Sequence, residues 1–199
     1  MCNRLIIVGA GGHGRVAADI AELVGYEEIV FLDDHPNSKV KVIGSTRDIA
    51  KYALTADFFV AIGNSDIRKR VFEEIKRNGA TLVNLVHPKA TVSRSATLGV
   101  GVLVAAGAVV CTGAVVEDGA IVNTLASVDH DCYLGAFSHV SAGVHMVGAT
   151  RIDGDTFVGV GATIIKDVCS HCLIGAGAVV AKTITESGTY VGVPARKIR

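Results

Sequence analysis

The stretch Asp129-His130-Asp131 holds the residues of this sequence best suited to proton transfer. The unperturbed pKa of an imidazole lies near neutrality, so His130 can accept a proton at physiological pH. A neighbouring carboxylate can orient the ring and stabilise the imidazolium. Neighbours along a strand point to opposite sides, so contact between His130 and Asp131 requires a local bend, and Asp129 is a rival partner. Asn123, His139 and His145 are further polar residues of the same region.

A second candidate site lies near the N-terminus, in the glycine-rich run GAGGHG at residues 9–14. The run follows a predicted strand over residues 5–8 and precedes a helical pattern over residues 16–24. Its glycines at positions 9, 11 and 14 fit G-x-G-x-x-G, in which backbone N–H groups at a helix N-terminus approach a phosphate. A next predicted strand, 29–32, ends at Asp33 and Asp34, where a dinucleotide enzyme holds its ribose hydroxyls.

The pattern that continues from this turn indicates one mononucleotide-binding half. Helices are predicted over residues 46–52 and 66–78, and strands over residues 58–62 and 81–86. A dinucleotide normally needs two such halves. The domain is therefore predicted to bind a single nucleotide, for instance through the nucleoside of a nucleotide sugar, and not NAD. A purely structural role for the glycine turn is the alternative.

Aliphatic residues recur at every sixth position from Val86 to Ile164, and the residues four further on are small or β-branched. A strict period of six fits neither an amphipathic helix nor an alternating strand, but it fits a β-helix of hexapeptide repeats. Three hexads make one coil of a triangular prism, so residues 18 apart lie over one another at the β spacing of about 4.8 Å. The inward positions are Val86, Val92, Leu98, Val104, Val110, Val116, Val122, Val128, Leu134, Val140, Met146, Ile152, Val158 and Ile164.

The repeat is interrupted after Ile164. If the six-residue period continued, large apolar residues would be expected at positions 170 and 176, which are Ser170 and Ala176. The pattern resumes instead at Val168 and Ile174, as if two residues were missing. We therefore expect a tightened corner over residues 166–172. The basic tail, residues 182–199, is predicted to cap the open end of the prism, either as a solvated surface or in contact with phosphates.

Length and composition favour a small domain followed by a solenoid: residues 1–85 and 86–199, joined at His87-Pro88. The formal net charge of +0 indicates neither a basic nucleic-acid surface nor an acidic tail. No apolar segment approaches the 18 residues of a membrane span, and the sequence opens directly with a strand, so we expect a cytoplasmic protein.

Five cysteines occur, at positions 2, 111, 132, 169 and 172, and reduced thiols are expected for all of them. Cys169 and Cys172 form the sole C-x-x-C. A structural zinc ion would need two more ligands at matching spacing, so Cys172 is interpreted as a small core residue.

The hexapeptide pattern resembles the left-handed parallel β-helix of hexapeptide acyltransferases. Over nearly its full length the sequence is similar to bacterial sugar acetyltransferases with a Rossmann-like N-terminal domain, a family that includes sialic acid O-acetyltransferases and UDP-4-amino-sugar N-acetyltransferases of bacillosamine synthesis. The segments that carry the resemblance are GAGGHG, FLDD, AIGN, VNLVHP, VNTLASVDHDCYLG, AFSHVSAG, IGAGAVV and YVGVPAR.

The resemblance implies a role for each matching residue. His130 and Asp131 correspond to the catalytic base and its acid, although the family's UDP-amino-sugar enzymes have Glu in the second place. Gly148, one coil from His130, would leave space for a thioester, and its N–H could hold the oxyanion. Substrate-binding residues would be Gly11, Gly12, His13, Asp33, Asp34, Asn64 and Asn123; acetyl-CoA-binding residues would be His139, Gly148, Gly161 and Gly175.

The implied function is direct acetyl transfer from acetyl-CoA to the 4-amino group of a UDP-linked 4-amino-4,6-dideoxy sugar. The implied assembly is a homotrimer with active sites between adjacent subunits, and no metal is expected. Sialic acid O-acetylation and N-acetylation of a GDP-linked 4-amino sugar are the alternatives within the family. Two more distant alternatives are a non-catalytic scaffold and a zinc carbonic anhydrase using His130, His139 and His145.

Overall fold

The computed structural model describes residues 3–35 and 39–199, which fall into two compact units, Met1–Pro88 and Lys89–Arg199. The predicted boundary, after residue 85, lies just before this division. Cys2 lies outside the described residues. None of the helices in the described ranges is long and apolar enough to cross a membrane.

The first unit is built on a parallel sheet in the order β3-β2-β1-β4-β5. Its two central strands, over residues 4–8 and 57–60, are largely buried and mostly apolar, as expected for a parallel sheet covered on both faces. The elements are β1 (Arg4–Val8), α1 (Gly12–Leu23), β2 (Glu28–Leu32), β3 (Val42–Gly44), a 3₁₀ turn (Thr46–Asp48), α2 (Ile49–Tyr52), β4 (Asp57–Val60), α3 (Ser65–Arg77), β5 (Thr81–Leu82) and β6 (Leu85–Val86).

Four details of this unit differ from the sequence prediction. β3 was not predicted, because it is only three residues long and ends in glycine. The predicted helix over 46–52 is a 3₁₀ turn followed by one short α-helix, and the predicted strand over 81–86 is two separate strands. The sheet also continues on the other side of β1, through β4 and the two-residue β5. The single mononucleotide-binding half that the sequence predicted is therefore extended by part of a second one.

The second unit is a parallel β-helix, and from Thr91 to Ile164 its strands are two residues long and begin six residues apart. The second residue of each of these strands is the predicted inward position, and from Val104 to Ile164 these residues are at most 2% exposed. The strands are β7 (Thr91–Val92), β8 (Thr97–Leu98), β9 (Leu103–Val104), β10 (Val109–Val110), β11 (Val115–Val116), β12 (Ile121–Val122), β13 (Ser127–Val128), β14 (Tyr133–Leu134), β15 (His139–Val140), β16 (His145–Met146), β17 (Arg151–Ile152), β18 (Phe157–Val158), β19 (Thr163–Ile164), β20 (Cys172–Ile174), β21 (Val179–Val180), β22 (Gly188–Val191) and β23 (Arg196–Lys197).

These strands form the three faces of the prism. Face 1 contains β7, β10, β13, β16, β19 and β21; face 2 contains β8, β11, β14 and β17; face 3 contains β9, β12, β15, β18, β20 and β22. The connecting turns stack into three corners, here called the 1–2, 2–3 and 3–1 corners after the faces they join. β23 pairs antiparallel with β22 and closes the C-terminal end.

The interruption of the repeat is visible in the strand register. Val110 pairs with Val128, 18 residues on, but Val158 pairs with Ile174 and Ile164 with Val180, each only 16 residues on. An isolated bridge joins Ile152 to Val168 at the same spacing. The expected loss of two residues is therefore confirmed, and it falls at the 1–2 corner between residues 164 and 168.

The four described cysteines are free. The Sγ atoms of Cys169 and Cys172 lie 3.7 Å apart without a bond. Burial raises the pKa of the Cys172 thiol to about 12, so this side chain behaves as a core residue, as its position in the repeat predicted.

Candidate active site

His130 lies on the 1–2 corner, in the turn that follows β13. Asp131 adopts φ 58°, and this left-handed conformation supplies the bend that the sequence left open. His130 Nδ1 consequently donates to Asp131 Oδ2 over 2.9 Å. Asp129 instead accepts a 2.7 Å bond from the backbone N–H of His130. The structure thus selects Asp131 as the partner of the ring and assigns Asp129 to the backbone of the turn.

The two carboxylates also tune the imidazole. The hydrogen bond that the ring donates to Asp131 and the charge of Asp129 raise the pKa of His130 above its ordinary value. With Nδ1–H held by Asp131, the lone pair of the neutral ring lies on Nε2. The side chain of His130 is 56% exposed, so this nitrogen is open to a ligand. Such a pair is suited to general base catalysis.

Replacing Asp131 by asparagine is expected to lower the pKa of His130, because the anion that stabilises the imidazolium is lost. The base form is the active form, so the acid limb of kcat/KM should move to lower pH. The pH-independent maximum should fall by at least roughly tenfold, since the amide carries no charge to stabilise the imidazolium and its NH₂ can hold the ring in the wrong tautomer. The measurement is kcat/KM against pH for both proteins. An acid limb that stays in place with asparagine present would contradict the pairing.

Gly148 lies directly beside His130 in the next coil. A Cβ built on Gly148 would overlap the imidazole, coming within 2.8 Å of Cδ2 and closer still to Nε2. The missing side chain therefore leaves the space that the ring occupies. The backbone N–H of His130 and, to a smaller extent, that of Gly148 lower the pKa of Asp129. A role for the Gly148 N–H in holding an oxyanion stays a prediction.

A second polar cluster lies where face 3 meets the 3–1 corner, with His139 on face 3 and Asn123 in the turn that follows β12. Asn123 donates from Nδ2 to His139 Nε2 over 3.1 Å, and the His139 ring packs edge-on against Phe157 with centroids 5.2 Å apart. Gly161 and Gly175 lie on the same corner, in later coils. Gly161 has φ 67° with open space around its Cβ position, whereas a Cβ on Gly175 would lie 2.8 Å from Val191 Cγ1.

The predicted site residues of the β-helix are therefore divided between two places. The catalytic pair His130 and Asp131 lies with Gly148 on the 1–2 corner, whereas Asn123 and His139 lie at the junction of face 3 and the 3–1 corner. Face 1 separates the corners within one chain. Within one chain, the residues of each set are close to one another, but the two sets are not close to each other.

In the first unit, Asp33 and Asp34 border a cavity of about 290 Å³ at the carboxyl ends of β1 and β2. Asp33 accepts a 2.6 Å bond from the N–H of Ala10 and a 2.7 Å bond from the N–H of His35. It thereby ties the glycine turn to the end of β2. Asp34 accepts from the N–H and hydroxyl of Thr46, each at 2.9 Å, and these bonds lower its pKa.

The glycines of the turn have two different functions. A Cβ on Gly9, which has φ 109°, would lie 2.7 Å from the carbonyl oxygen of Ala61, and a Cβ on Gly14 would overlap the carbonyl oxygen of Gly9. These two glycines are required by packing. Gly11 and Gly12 are exposed at the N-terminus of α1 with nothing within 4 Å of a Cβ, so their backbone is open to a ligand.

Three further residues show local roles. Burial and the nearby Arg68 lower the pKa of His13 to about 4, so this ring is neutral at physiological pH. Arg68 was not singled out from the sequence, yet it is 1% exposed and donates to the carbonyl oxygens of Ile62 and Gly63 over 2.7 and 2.9 Å. Asn64, a predicted substrate-binding residue, caps α3 by accepting from the N–H of Ile67 over 3.0 Å.

The three histidines of the zinc alternative lie apart: His130 on the 1–2 corner, His139 on face 3 and His145 on face 1. His145 Nδ1 is hydrogen-bonded to Ser127 Oγ at 2.8 Å. Across residues 3–35 and 39–199, no three His, Cys, Asp or Glu side chains cluster closely enough to hold a metal ion.

Comparison with known proteins identifies the chain's relatives. Residues 4–75 match the PglD N-terminal domain family. The chain is 30% identical over 183 residues to GDP-perosamine N-acetyltransferase of Escherichia coli O157:H7, covering 86% of this chain and 82% of that protein. The chain belongs to the bacterial sugar acetyltransferase family. It is also 31% identical over 109 residues to UDP-N-acetylbacillosamine N-acetyltransferase of Bacillus subtilis strain 168, a match covering 51% of this chain and 50% of that protein.

Among solved structures, the acetyltransferase domain of PglB from Neisseria gonorrhoeae FA1090, in complex with acetyl coenzyme A, matches the whole of this sugar acetyltransferase. The TM-score is 0.96 at 43% identity, with 100% of both chains covered. The predicted fold class, a Rossmann-like domain followed by a left-handed parallel β-helix, is confirmed by this likeness.

Proposed function

We propose that this sugar acetyltransferase transfers the acetyl group of acetyl-CoA to the 4-amino group of a UDP-linked 4-amino-4,6-dideoxy sugar. The observation that carries the proposal is the His130–Asp131 pair, whose imidazole occupies the space that the missing side chain of Gly148 leaves. Both curated relatives described above are named N-acetyltransferases, which supports an amine acceptor over a hydroxyl.

The reaction needs one proton acceptor and two positioned substrates. The neutral sugar amine attacks the thioester carbonyl, the new C–N bond forms, and the C–S bond breaks with CoA leaving as its thiolate. His130 Nε2 takes the proton that the nitrogen loses, and the resulting imidazolium can return it to the departing sulfur. Asp131 holds the ring and stabilises its charged form. Holding both substrates in register supplies much of the rate increase.

The cavity of the first unit is the proposed nucleoside site. Gly11 and Gly12 offer exposed backbone at the start of α1, where a helix favours phosphate. Asp33 and Asp34 already accept two hydrogen bonds each from the protein. Each ionised carboxylate has about four acceptor sites, so both acids can still bind a nucleoside. The match to the UDP-N-acetylbacillosamine enzyme supports UDP, whereas the longer match to the GDP-perosamine enzyme favours GDP.

The divided β-helix residues support a homotrimer. Face 1 keeps the His130 corner and the Asn123 corner of one chain apart, so a site that uses both groups requires a second copy. In the proposed trimer the 1–2 corner of one subunit meets the 3–1 corner of its neighbour. Acetyl-CoA then lies between them, along the glycine-lined corner of Gly161 and Gly175, with His139 close to the acetyl group.

A substrate panel tests the assignment. Purified protein is incubated with acetyl-CoA and, separately, a UDP-linked 4-amino sugar, a GDP-linked 4-amino sugar and sialic acid, and free CoA is measured with time. The UDP-linked amine is expected to give the highest kcat/KM. Preference for the GDP-linked amine would overturn the nucleotide assignment alone, and acetylation of sialic acid without amine acetylation would overturn the reaction class.

A further inference from the structure

Cys169 and Cys172 are not used by the proposed reaction, yet the fold places their thiols side by side. The two Sγ atoms lie 3.7 Å apart on the 2–3 corner, where the chain turns from face 2 into β20. Within the part of the chain that the structure describes, no further His, Cys, Asp or Glu joins them in a group that could hold a metal ion. Their proximity therefore points to chemistry between the two sulfurs.

A buried hydroxyl holds the turn between the two cysteines. Thr156 is 1% exposed, and its Oγ1 donates to the carbonyl oxygen of Cys169 over 3.2 Å and accepts from the N–H of Cys172 over 3.3 Å. The N–H of Cys169 also donates to the carbonyl oxygen of Ile184, in the next coil, over 3.0 Å. Hydrogen bonds to neighbouring coils thus fix both ends of the turn and keep the sulfurs close without a covalent bond.

The two thiols differ in their access to solvent. Cys169 is half-buried, whereas Cys172 is 3% exposed. Burial raises the pKa of Cys172 to about 12, so this thiol keeps its proton and can donate it to the Cys169 sulfur. A reagent from solvent therefore reaches Cys169 first, and Cys172 is placed to react with the product. Such an arrangement is typical of an attacking cysteine beside a resolving one.

We propose that Cys169 and Cys172 form a reversible redox site, which a hydroperoxide oxidises to a disulfide. With hydrogen peroxide, the Cys169 thiolate attacks one oxygen, the O–O bond breaks, and the departing hydroxide takes up the proton that Cys169 lost. Cys169 is then a sulfenic acid. The Cys172 sulfur attacks Cys169 Sγ, the S–S bond forms, the S–O bond breaks, and the Cys172 proton leaves with the hydroxyl group as a second water. The two sulfurs lose two electrons, which reduce the peroxide.

Mass spectrometry tests the site, because one tryptic peptide, residues 167–182, carries both cysteines. The full-length protein is treated with hydrogen peroxide, alkylated in urea without a reductant, and digested. We expect this peptide to carry no alkyl group and to be two hydrogen atoms lighter than the dithiol, and dithiothreitol should restore the dithiol. A peptide that stays a dithiol, or that carries oxygen on Cys169 without a link to Cys172, overturns the proposal.

Thermal unfolding provides a second readout. The disulfide would join the two ends of the turn that leads into β20, and β20 pairs with β22 near the C-terminal end of the prism. A crosslink that fits the folded turn restricts the unfolded chain, so the oxidised wild type is expected to have a higher Tm than the reduced protein. Cys169→Ser, treated in the same way, should show no rise. A fall of the wild-type Tm on oxidation, or an equal rise in Cys169→Ser, contradicts the proposal.

A threonine substitution tests whether the turn positions the thiols. Thr156→Val removes the hydroxyl but keeps the shape of the side chain, so disulfide formation should slow by roughly tenfold. Thr150→Val is the matched control, since Thr150 is also buried and donates to a backbone carbonyl oxygen, that of Val147, over 2.7 Å. Its rate should stay near that of the wild type. Circular dichroism verifies that both variants fold, and equal rates in the two variants would overturn the role of the turn.

Discussion

His130→Ala is expected to lower kcat by roughly 10²–10⁴-fold, the usual contribution of a positioned general base. The Kd for acetyl-CoA should stay near that of the wild type, because the ring is assigned to proton transfer and not to binding. An amine is a better nucleophile than a hydroxyl, so some turnover should persist at high pH. Steady-state kinetics with saturating substrates, and calorimetry with CoA, measure the two effects.

The control for this substitution is His171→Asn. His171 is also an exposed histidine in a corner turn, and its φ of 56° is a conformation that asparagine tolerates. It lies on the 2–3 corner, away from both clusters, so kcat should not change. If His130→Ala kept kcat within about threefold of the wild type, His130 could not be the base.

Gly148→Ala is expected to reduce kcat by roughly ten- to a hundredfold, because the new methyl group must displace the imidazole from its position beside Asp131. The ring is exposed and can rotate away, so the fold should survive. Gly148 is not among the residues with positive φ, and alanine therefore fits its backbone. Thermal unfolding should show a Tm equal to or slightly above that of the wild type.

Gly154→Ala is the matched substitution. It also lies in a corner turn without positive φ, and its Cβ would approach only the backbone of Ala136, at 3.0 Å from the oxygen. Its kcat should stay near the wild-type value. Equal losses of kcat in the two alanine variants would mean that the effect comes from altered coil packing and not from the His130 ring.

The β-helix could be predicted closely because its period is set by side-chain size at every inward position. A strict repeat also determines which residues stack on one another in successive coils. The contact between His130 and Gly148 could therefore be predicted, because the two residues are 18 positions apart. The left-handed φ of Asp131 was missed, although a signal was present: Gly113, one coil earlier at the same place, has φ 69°. A glycine in that register indicates a corner position that requires positive φ.

The first unit was less predictable because its site depends on contacts between distant segments. The bond from the N–H of Ala10 to Asp33 joins segments that share no sequence pattern. Arg68 bonds to carbonyl oxygens nearby in the chain, but nothing in its sequence context predicted that an arginine would be buried. Asn64 was assigned to substrate by resemblance, while its hydrogen bond to Ile67 is that of a helix cap. In contrast, the separation of the predicted β-helix site residues into two sets follows from the positions that they occupy in the hexapeptide repeat.

The most direct test of the central claim is the double variant His130→Ala/Gly148→Ala. If the methyl group at position 148 acts only by moving the imidazole, it has nothing left to displace once the ring is gone. The kcat of the double variant should then equal that of His130→Ala. A kcat lower still, by the full factor that Gly148→Ala costs in the wild type, would contradict the claim that the ring in this space is the base.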